Sequence, residues 1–408
     1  MPAGFEPTRA AGLARLESFA PRAGRAYQSN RNHDTGPDWP HVSCLSPWLH
    51  AGLLSEAETI EAALAEHGMS GAYKFVSEVF WRIYFKGYLE QRPGVWSDYC
   101  ERRGAALAEL DRNSGVKTAY SEAVEGHTGI EAFDVWAREL VEHGFLHNHA
   151  RMWFASIWCF TLKLDWTLGA DFFLRHLMCA DAASNTLNWR WVAGLHTRGK
   201  AYAATQANIA RYTQRRPDGP LEAEGLARGF DALAEETPPG RVPLALPEPP
   251  APQAFEGPYA LLLHDEASHH ETLDLPRPPA LILTAPRPEA RSPQPIGEPA
   301  LRFAHGALES GGKAAASAFD CPLAAWTPDT TLPDLLAEAG VERVAVPFLP
   351  GGWTRDALWP ELEPLSQSGG LVALVPDLSR ATFPHAWAGF YGVRKRMEAV
   401  MQEVGLPA

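Results

Sequence analysis

The residues of this 408-residue chain that are best suited to chemistry lie in three stretches: GFLHNHARM at 144–152, LDW at 164–166 and CADAASNTLNWRW at 179–191. Asn148, Arg151 and Met152 are three and four residues apart, so on a helix they share one face. Trp189 and Trp191 are two residues apart, which places them about 200° apart on a helix and on opposite faces of an extended segment. In either conformation the two tryptophans serve different surfaces.

Apolar residues recur at helical spacing in the first part of the chain, in residues 56–66, 73–90, 130–144 and 150–164. This pattern predicts an all-helical domain over residues 1–236. Residues 237–252 read TPPGRVPLALPEPPAP and contain seven prolines. Because such a composition resists helix formation and behaves as an extended spacer, we expect a linker over residues 237–255 and a second domain over 256–408.

Short apolar runs in the second part alternate with helical patterns. The runs at 259–263, 280–284, 341–347 and 371–375 predict strands, and residues 311–319 and 332–339 predict helices. This order is typical of βαβ units with a mostly parallel sheet. The predicted fold class is therefore multidomain: an all-helical domain followed by a Rossmann-like parallel α/β domain. Neither glycine-rich phosphate-binding motif, GxGxxG or GxxxxGK[ST], occurs in the second domain.

Composition and charge exclude several classes of protein. With 46% hydrophobic and 21% charged residues, the chain is neither disordered nor collagen-like. The five cysteines form no CxxC pair, so we expect reduced thiols, a cytoplasmic location and no metal, and no apolar run is long enough for a membrane span. The net charge of −13 lies in the second part: residues 1–216 hold 23 Lys+Arg and 23 Asp+Glu, whereas 217–408 hold 13 and 26.

Three upstream motifs accompany these stretches: VSCLSP at 42–47, EVFWR at 78–82, and Thr128-Gly129 followed by Asp134. In order and spacing, the whole set over residues 27–212 resembles the FAD-binding domain of the photolyase/cryptochrome family. A joint match of this kind is specific, although each piece alone is weak. Ser43 and Ser46 precede a proline at a predicted helix start, where their hydroxyls either cap the helix, as is usual for Ser46-Pro47 taken alone, or bind the pyrophosphate of a dinucleotide.

The resemblance implies FAD as cofactor and assigns roles to individual residues. The implied cofactor-binding residues are Val42, Ser43, Leu45, Ser46, Arg82, Asn148, Arg151, Cys179, Asp181 and Asn185. The implied catalytic and lesion-contacting residues are Glu78, Trp81, Asn148, Met152 and Trp191, and the implied electron-transfer residues are Trp189 and Trp166. An antenna chromophore is also common in the family, but its identity here is unknown.

The implied function is light-driven repair of cyclobutane pyrimidine dimers in UV-damaged DNA. A reduced FAD would donate an electron to the dimer, the ring would split and the electron would return, with Glu78 hydrogen-bonded to the dimer. An amide at Asn185 favours repair over plant-type signalling. Histidines found in enzymes for the (6-4) photoproduct are absent at Asn148 and Met152. The alternatives are a cryptochrome-like blue-light photoreceptor and a light-independent flavoprotein.

The chain departs from the family pattern at several points. Cys179 replaces an aspartate that pairs with the arginine at Arg151, which leaves Arg151 either paired with Asp181 or facing an anionic flavin. Cys44 replaces an arginine. No third relay tryptophan aligns, and the candidate substitutes are Trp96, Tyr120 and Trp158. Family members place the α/β antenna domain first, so its position here indicates a circular permutation, with an unrelated Rossmann-like domain as the alternative.

Overall fold

Helices build the first part of the chain. The computed structural model describes residues 4–197, 199–234, 237 and 239–407, and within them no strand precedes residue 260. The α-helices of this helical part are α1 (Arg9–Phe19), α2 (Arg25–Asn30), α3 (Ser46–His50), α4 (Glu56–Glu90), α5 (Gly94–Arg112), α6 (Ser114–Glu125), α7 (Glu131–His143), α8 (Asn148–Ser156), α9 (Trp166–His176), α10 (Ala182–Ala193) and α11 (Gln206–Thr213). The prediction of a helical first part is confirmed.

Helix α4 is the longest element, and its sequence explains both its start and its bend. Ser55 and Glu58 form a capping box: the Ser55 hydroxyl accepts from the Glu58 N–H at 3.1 Å, and the Glu58 carboxylate accepts from the Ser55 N–H at 2.8 Å. Gly68 has φ 60° and ψ 174°, which breaks the helix into two pieces. The second piece carries Glu78 and Trp81.

A five-stranded parallel sheet forms the second part. The α/β part consists of β1 (Ala260–His264), β2 (Leu281–Ala285), α12 (Glu298–Phe319), β3 (Leu323–Ala325), α13 (Leu332–Glu338), β4 (Val344–Pro347), α14 (Trp353–Gln367) and β5 (Leu371–Leu374). The strand order is β3-β2-β1-β4-β5. The central strand β1 is buried along its whole length, as expected for a sheet covered on both faces. The predicted parallel α/β class is confirmed; the short β3 and helix α14 were not predicted.

The C-terminal segment, residues 377–407, leaves the sheet and packs along α4. It contains α15 (Asp377–Thr382), α16 (Tyr391–Arg394) and α17 (Met397–Glu403). The Tyr84 hydroxyl donates to the Ala388 carbonyl at 2.8 Å, and the Arg394 Nε donates to the Tyr73 hydroxyl at 2.7 Å. The segment therefore runs antiparallel to α4.

Gln91, which follows α4, joins both ends of the α/β part to the helical part. Its backbone carbonyl accepts from the Val242 N–H at 2.9 Å, in the proline-rich stretch that leads to the sheet. Its side-chain amide donates to the Phe383 carbonyl at 2.8 Å, just after the sheet. The chain thus enters and leaves the α/β part beside one residue. The domain boundaries around 237–255 stay a prediction.

The Thr-Gly…Asp motif is a structural turn before α7. The Asp134 carboxylate accepts hydrogen bonds from the Thr128 N–H at 2.9 Å, the Thr128 hydroxyl at 2.7 Å and the Gly129 N–H at 2.9 Å. A carboxylate that satisfies three donors fixes the loop and places a negative charge in the first turn of the helix. Within the described residues, no helix has the length and apolarity needed to cross a bilayer.

Replacing Asp134 with alanine should lower the free energy of unfolding by about 2–3 kcal/mol, because the donors of Thr128 and Gly129 lose a charged acceptor. Urea denaturation followed by far-UV circular dichroism measures the change. Asp111→Ala serves as the control, since Asp111 is exposed and its ion pair with Lys117, at 3.5 Å, lies on the surface, and it should shift stability by no more than about 0.5 kcal/mol. Equal stability of the two variants would contradict the role of Asp134.

Candidate cofactor and substrate site

A cavity of about 530 Å³ opens between α3, α4, α8 and α10. Its size lies within the range of small-molecule and cofactor sites. The residues predicted from the sequence that line it are Val42, Ser43, Leu45, Ser46, Glu78, Trp81, Arg82, Asn148, Arg151, Met152 and Trp191. A second cavity of about 70 Å³ shares part of this lining and adds Cys179, Asp181, Asn185 and Trp189. Of the predicted residues, Trp166 alone lines neither cavity.

Helix α8 presents one face to both cavities. His147 caps its start, with Nδ1 accepting from the His149 N–H at 3.2 Å. The spacing predicted from the sequence then brings Asn148, Arg151 and Met152 together, and the Asn148 amide lies 3.8 Å from the Met152 sulfur. Burial lowers the pKa of His147 to about 4, so the capping imidazole is neutral at physiological pH.

Arg151 has no carboxylate partner within ion-pair distance among the described residues. Its Nε donates to the Leu146 carbonyl at 2.8 Å, and its Nη1 lies 3.7 Å from the Cys179 sulfur. The sequence left two alternatives for Arg151, an ion pair with Asp181 or a position facing an anionic flavin. The ion pair with Asp181 is not found. The guanidinium lines both cavities and retains a positive charge for a bound anionic group.

Asp181 starts α10 and carries the charge on which the site is built. Its Oδ1 accepts from the Ser184 N–H at 2.7 Å, which caps the helix. Its Oδ2 lies 3.0 Å from Arg82 Nη1 and 3.7 Å from Lys86 Nζ. Burial opposes ionisation, but the charges of Arg82 and Lys86 outweigh it and hold the pKa of Asp181 well below its usual value.

The α/β part contributes a second carboxylate to this charge cluster. Glu266 follows β1 at the carboxyl end of the sheet, is buried, and lies 3.0 Å from Lys86 Nζ. The ligand atoms of His50, Asp181 and Glu266 lie within 4.8 Å of one another, a spacing that a metal ion would allow. The ammonium of Lys86 and the guanidinium of Arg82 already neutralise both carboxylates, so this cluster favours ion pairing over metal binding.

Helix α10 presents Asn185 and Trp189, four residues apart, to the smaller cavity and Trp191 to the larger one. The Asn185 amide N–H₂ donates to the Ala170 carbonyl at 2.8 Å, which leaves its oxygen as the available acceptor. Trp189 is buried, whereas Trp191 is half-buried and lines the larger cavity. The expectation that the two tryptophans serve different surfaces is met.

The aromatic rings around Trp189 differ from those around Trp166. Trp189 lies 5.1 Å from Phe173 and 6.2 Å from Trp158, measured between ring centroids. Trp166 lies 5.9 Å from Tyr99 in another part of the core. Close packing of Trp189 and Trp158 depends on Gly169, where a Cβ atom would lie 2.3 Å from Trp189 and 2.9 Å from Trp158. The electron-transfer roles of Trp166 and Trp189 stay predictions.

Several residues of the larger cavity were not selected from the sequence: Tyr27, Arg31, His149, Asn188 and His196. Arg31 matters most, because its Nη1 lies 3.3 Å from Glu78 Oε1, which also contacts Lys74 one helical turn earlier. His149 stands in the HNHARM stretch itself and stacks on Trp153 at 4.1 Å. No local sequence pattern marks Arg31 as a site residue, because it lies just after α2 and reaches Glu78 only through tertiary packing.

Most of the residues that line the two cavities lie in a segment that matches a known family. The family of the FAD-binding domain of DNA photolyase matches residues 75–219, which contain the second piece of α4 together with α8 and α10. This segment, which is less than half of the chain, is similar to that domain. The match supports FAD as a cofactor, and the charge of Arg151 and the acceptor oxygen of Asn185 are groups that would fit such a ligand.

Relatives of both photolyase and cryptochrome type are similar to this chain. It is 39% identical over 157 residues to a deoxyribodipyrimidine photo-lyase of Streptomyces griseus, an alignment that covers 38% of this chain and 33% of that protein. It is 31% identical over 217 residues to a cryptochrome DASH of Natronomonas pharaonis, covering 51% and 44%. A solved class III photolyase from Agrobacterium tumefaciens is 29% identical, with a TM-score of 0.38 and coverage of 48% and 39%. The chain thus spans less than half the length of these photolyases and cryptochromes.

Removing the Arg82 guanidinium should destabilise the fold by about 3 kcal/mol, because the buried Asp181 carboxylate loses its nearest counter-charge. The variant is Arg82→Met, and the measurement is the urea midpoint of the purified chain. Arg102→Met on the exposed side of α5 is the matched control and should change stability by no more than about 0.5 kcal/mol. An Arg82→Met midpoint equal to that of the control would show that Asp181 does not depend on this ion pair.

Proposed function

We propose that this chain binds FAD in the two adjoining cavities and uses light to reverse cyclobutane pyrimidine dimers in DNA. The observation that supports this proposal is the shared lining of one cavity. Ser43 and Arg151, assigned to the cofactor, line it together with Glu78, Trp81 and Trp191, assigned to the lesion. A cofactor and a flipped pyrimidine dimer held in the same cavity are in direct reach of each other.

The cofactor side of the cavity offers charge and hydrogen-bonding groups that suit FAD. Arg151 supplies a positive charge without a carboxylate partner among the described residues. Asn185 offers an acceptor oxygen, because the hydrogen bond from its Nδ2 to the Ala170 carbonyl fixes the orientation of the amide. An acceptor at that point suits a protonated ring nitrogen. When bound, FAD supplies the light absorption and the electron that dimer cleavage requires.

The lesion side of the cavity combines a carboxylate with two indole rings. Arg31 and Lys74 hold the Glu78 carboxylate in place, which leaves it as an oriented acceptor for a pyrimidine N–H or O–H group. Trp81 stacks on Phe390 with ring centroids 4.0 Å apart, so its ring is fixed before any base enters. Trp191 is half-buried and offers a second aromatic face for stacking.

The blue-light photoreceptor is the second candidate function, and one observation favours it. A thiol at Cys179 stands beside Arg151 in place of a carboxylate, so the charge near the cofactor is more positive than in the family pattern. This change would alter the reduction potential of the bound cofactor, whereas Glu78, Trp81 and Trp191 on the lesion side stay the same. The two functions share cofactor and fold, and they differ in whether dimers are reversed.

Glu78→Ala should abolish most light-dependent dimer reversal while leaving the flavin content unchanged, since Glu78 lies on the lesion side. The measurement combines the absorption spectrum of the purified chain, in the dark and under blue light, with loss of dimers from a UV-irradiated oligonucleotide. Glu61→Ala on the exposed face of α4 is the matched control. Reversal by Glu78→Ala at the rate of the control would contradict the lesion assignment, and photoreduction of the unaltered chain without reversal would favour the photoreceptor.

Trp191→Ala should weaken binding to a dimer-containing oligonucleotide by about tenfold or more, because one base–aromatic stack is worth about 1–3 kcal/mol. Fluorescence anisotropy at fixed salt measures the dissociation constant. The undamaged oligonucleotide of the same sequence is the control, since its bases stay stacked in the duplex and its affinity should change little. Unchanged affinity for the damaged strand would remove Trp191 from the lesion site.

A further inference from the structure

The middle of the C-terminal segment carries positive charge in an otherwise acidic part of the chain, whereas Asp377, Glu398 and Glu403 lie towards its two ends. Residues 378–397 contain four Lys+Arg and no Asp or Glu, whereas residues 217–408 as a whole contain 13 Lys+Arg and 26 Asp+Glu. Three of the four are consecutive, Arg394, Lys395 and Arg396, and all three are exposed. A local cluster of this kind creates a positive field at the surface that the net charge of −13 conceals.

Two large aromatic side chains are exposed beside these charges. Tyr391 is 65% exposed and Trp387 is 51% exposed, the two highest values among the exposed large hydrophobic residues described. The Lys395 Nζ lies 4.4 Å from the centre of the Tyr391 ring, and the Arg241 guanidinium lies 5.5 Å from the Trp387 ring. We call Trp387, Tyr391, Arg394, Lys395 and Arg396 the C-terminal aromatic surface.

This surface is anchored next to the larger cavity. Phe390 is buried between the exposed Trp387 and Tyr391 in sequence, and its ring stacks on Trp81 at 4.0 Å with an interplanar angle of 16°. Trp81 itself lines the cavity. One residue therefore touches both the cavity and the segment that carries the C-terminal aromatic surface.

We propose that the C-terminal aromatic surface binds the unpaired nucleotides that flank the pyrimidine dimer entering the cavity, an inference that rests on the proposed action on DNA. Exposed aromatic rings combined with cations are the groups that bind single-stranded nucleic acid, because each base offers a face for stacking and each phosphate a negative charge. A protein partner would have to bring acidic residues to match three consecutive cations. Trp387 and Tyr391 stack on bases, and Lys395 and Arg396 contact phosphates.

The stacking part is tested by the double variant Trp387→Ala/Tyr391→Ala in the full chain. Its affinity for a dimer-containing oligonucleotide with single-stranded flanks should fall about tenfold, whereas its flavin spectrum and thermal midpoint stay unchanged. The control is Trp359→Ala on α14, which removes an exposed indole outside this surface. A fully paired duplex without damage provides a second control, and the double variant should bind it as the unaltered chain does.

The charge part is tested by Lys395→Gln/Arg396→Gln. The slope of log affinity against log salt should become shallower by about one to one and a half, since each phosphate contact to a single strand contributes about 0.7. Arg302→Gln/Lys313→Gln on α12 removes two exposed cations elsewhere and should leave the slope unchanged.

The outcomes separate this inference from the proposed function. If the unaltered chain reverses dimers and both double variants bind DNA as tightly as it does, the inference alone is wrong. If the unaltered chain binds no DNA, the inference and the proposed function are both wrong. A change in self-association or protein binding without any change in DNA affinity would identify a protein-docking surface and overturn the inference.

Discussion

A buried negative charge at Asp181 is the constraint that the rest of the site depends on. The carboxylate caps α10 and lies between the cations Arg82 and Lys86 of α4. An isolated charge at this depth would cost several kcal/mol, so its partners must be supplied by the fold. Lys86 in turn pairs with Glu266 of the α/β part. One ionised group therefore fixes the relation of α4 to α10, whose side chains form two walls of the cavity.

Much of the site could be predicted from the sequence because its residues are local in the chain. Asn148 and Met152 share a helix face by spacing alone, and the motif around Asn185 places it four residues after the cap at Asp181. The partners of Glu78 could not be predicted in the same way. Arg31 reaches Glu78 from α2, and Phe390 reaches Trp81 from more than 300 residues away, so no local period marks either contact. Strand β3 escaped prediction because it is only three residues long and two of the three are exposed.

The pair Arg151 and Cys179 leaves a guanidinium in the lining of both cavities without a carboxylate within ion-pair distance among the described residues. The Cys179 thiol lies 3.7 Å from Arg151 Nη1, at a position where the resemblance to the photolyase/cryptochrome family implies a carboxylate. A cofactor bound beside Arg151, as proposed above, would therefore have one negative charge fewer near it, and such a charge affects how readily an electron enters or leaves.

Two hydrogen bonds of Gln91 hold the two ends of the α/β part close together. The chain enters the α/β part beside Val242 and returns beside Phe383, and both points touch the same residue. A unit whose ends lie so close can be gained, lost or exchanged during evolution with little disturbance to the helices that it leaves and rejoins. Many side-chain contacts limit this freedom. Among them, Glu266 completes the charge cluster, the Trp353 indole donates to the Ala180 carbonyl at 2.9 Å, and Arg355 pairs with Glu90 at 2.8 Å. A replacement unit would have to supply partners of matching charge and hydrogen-bonding character at these points.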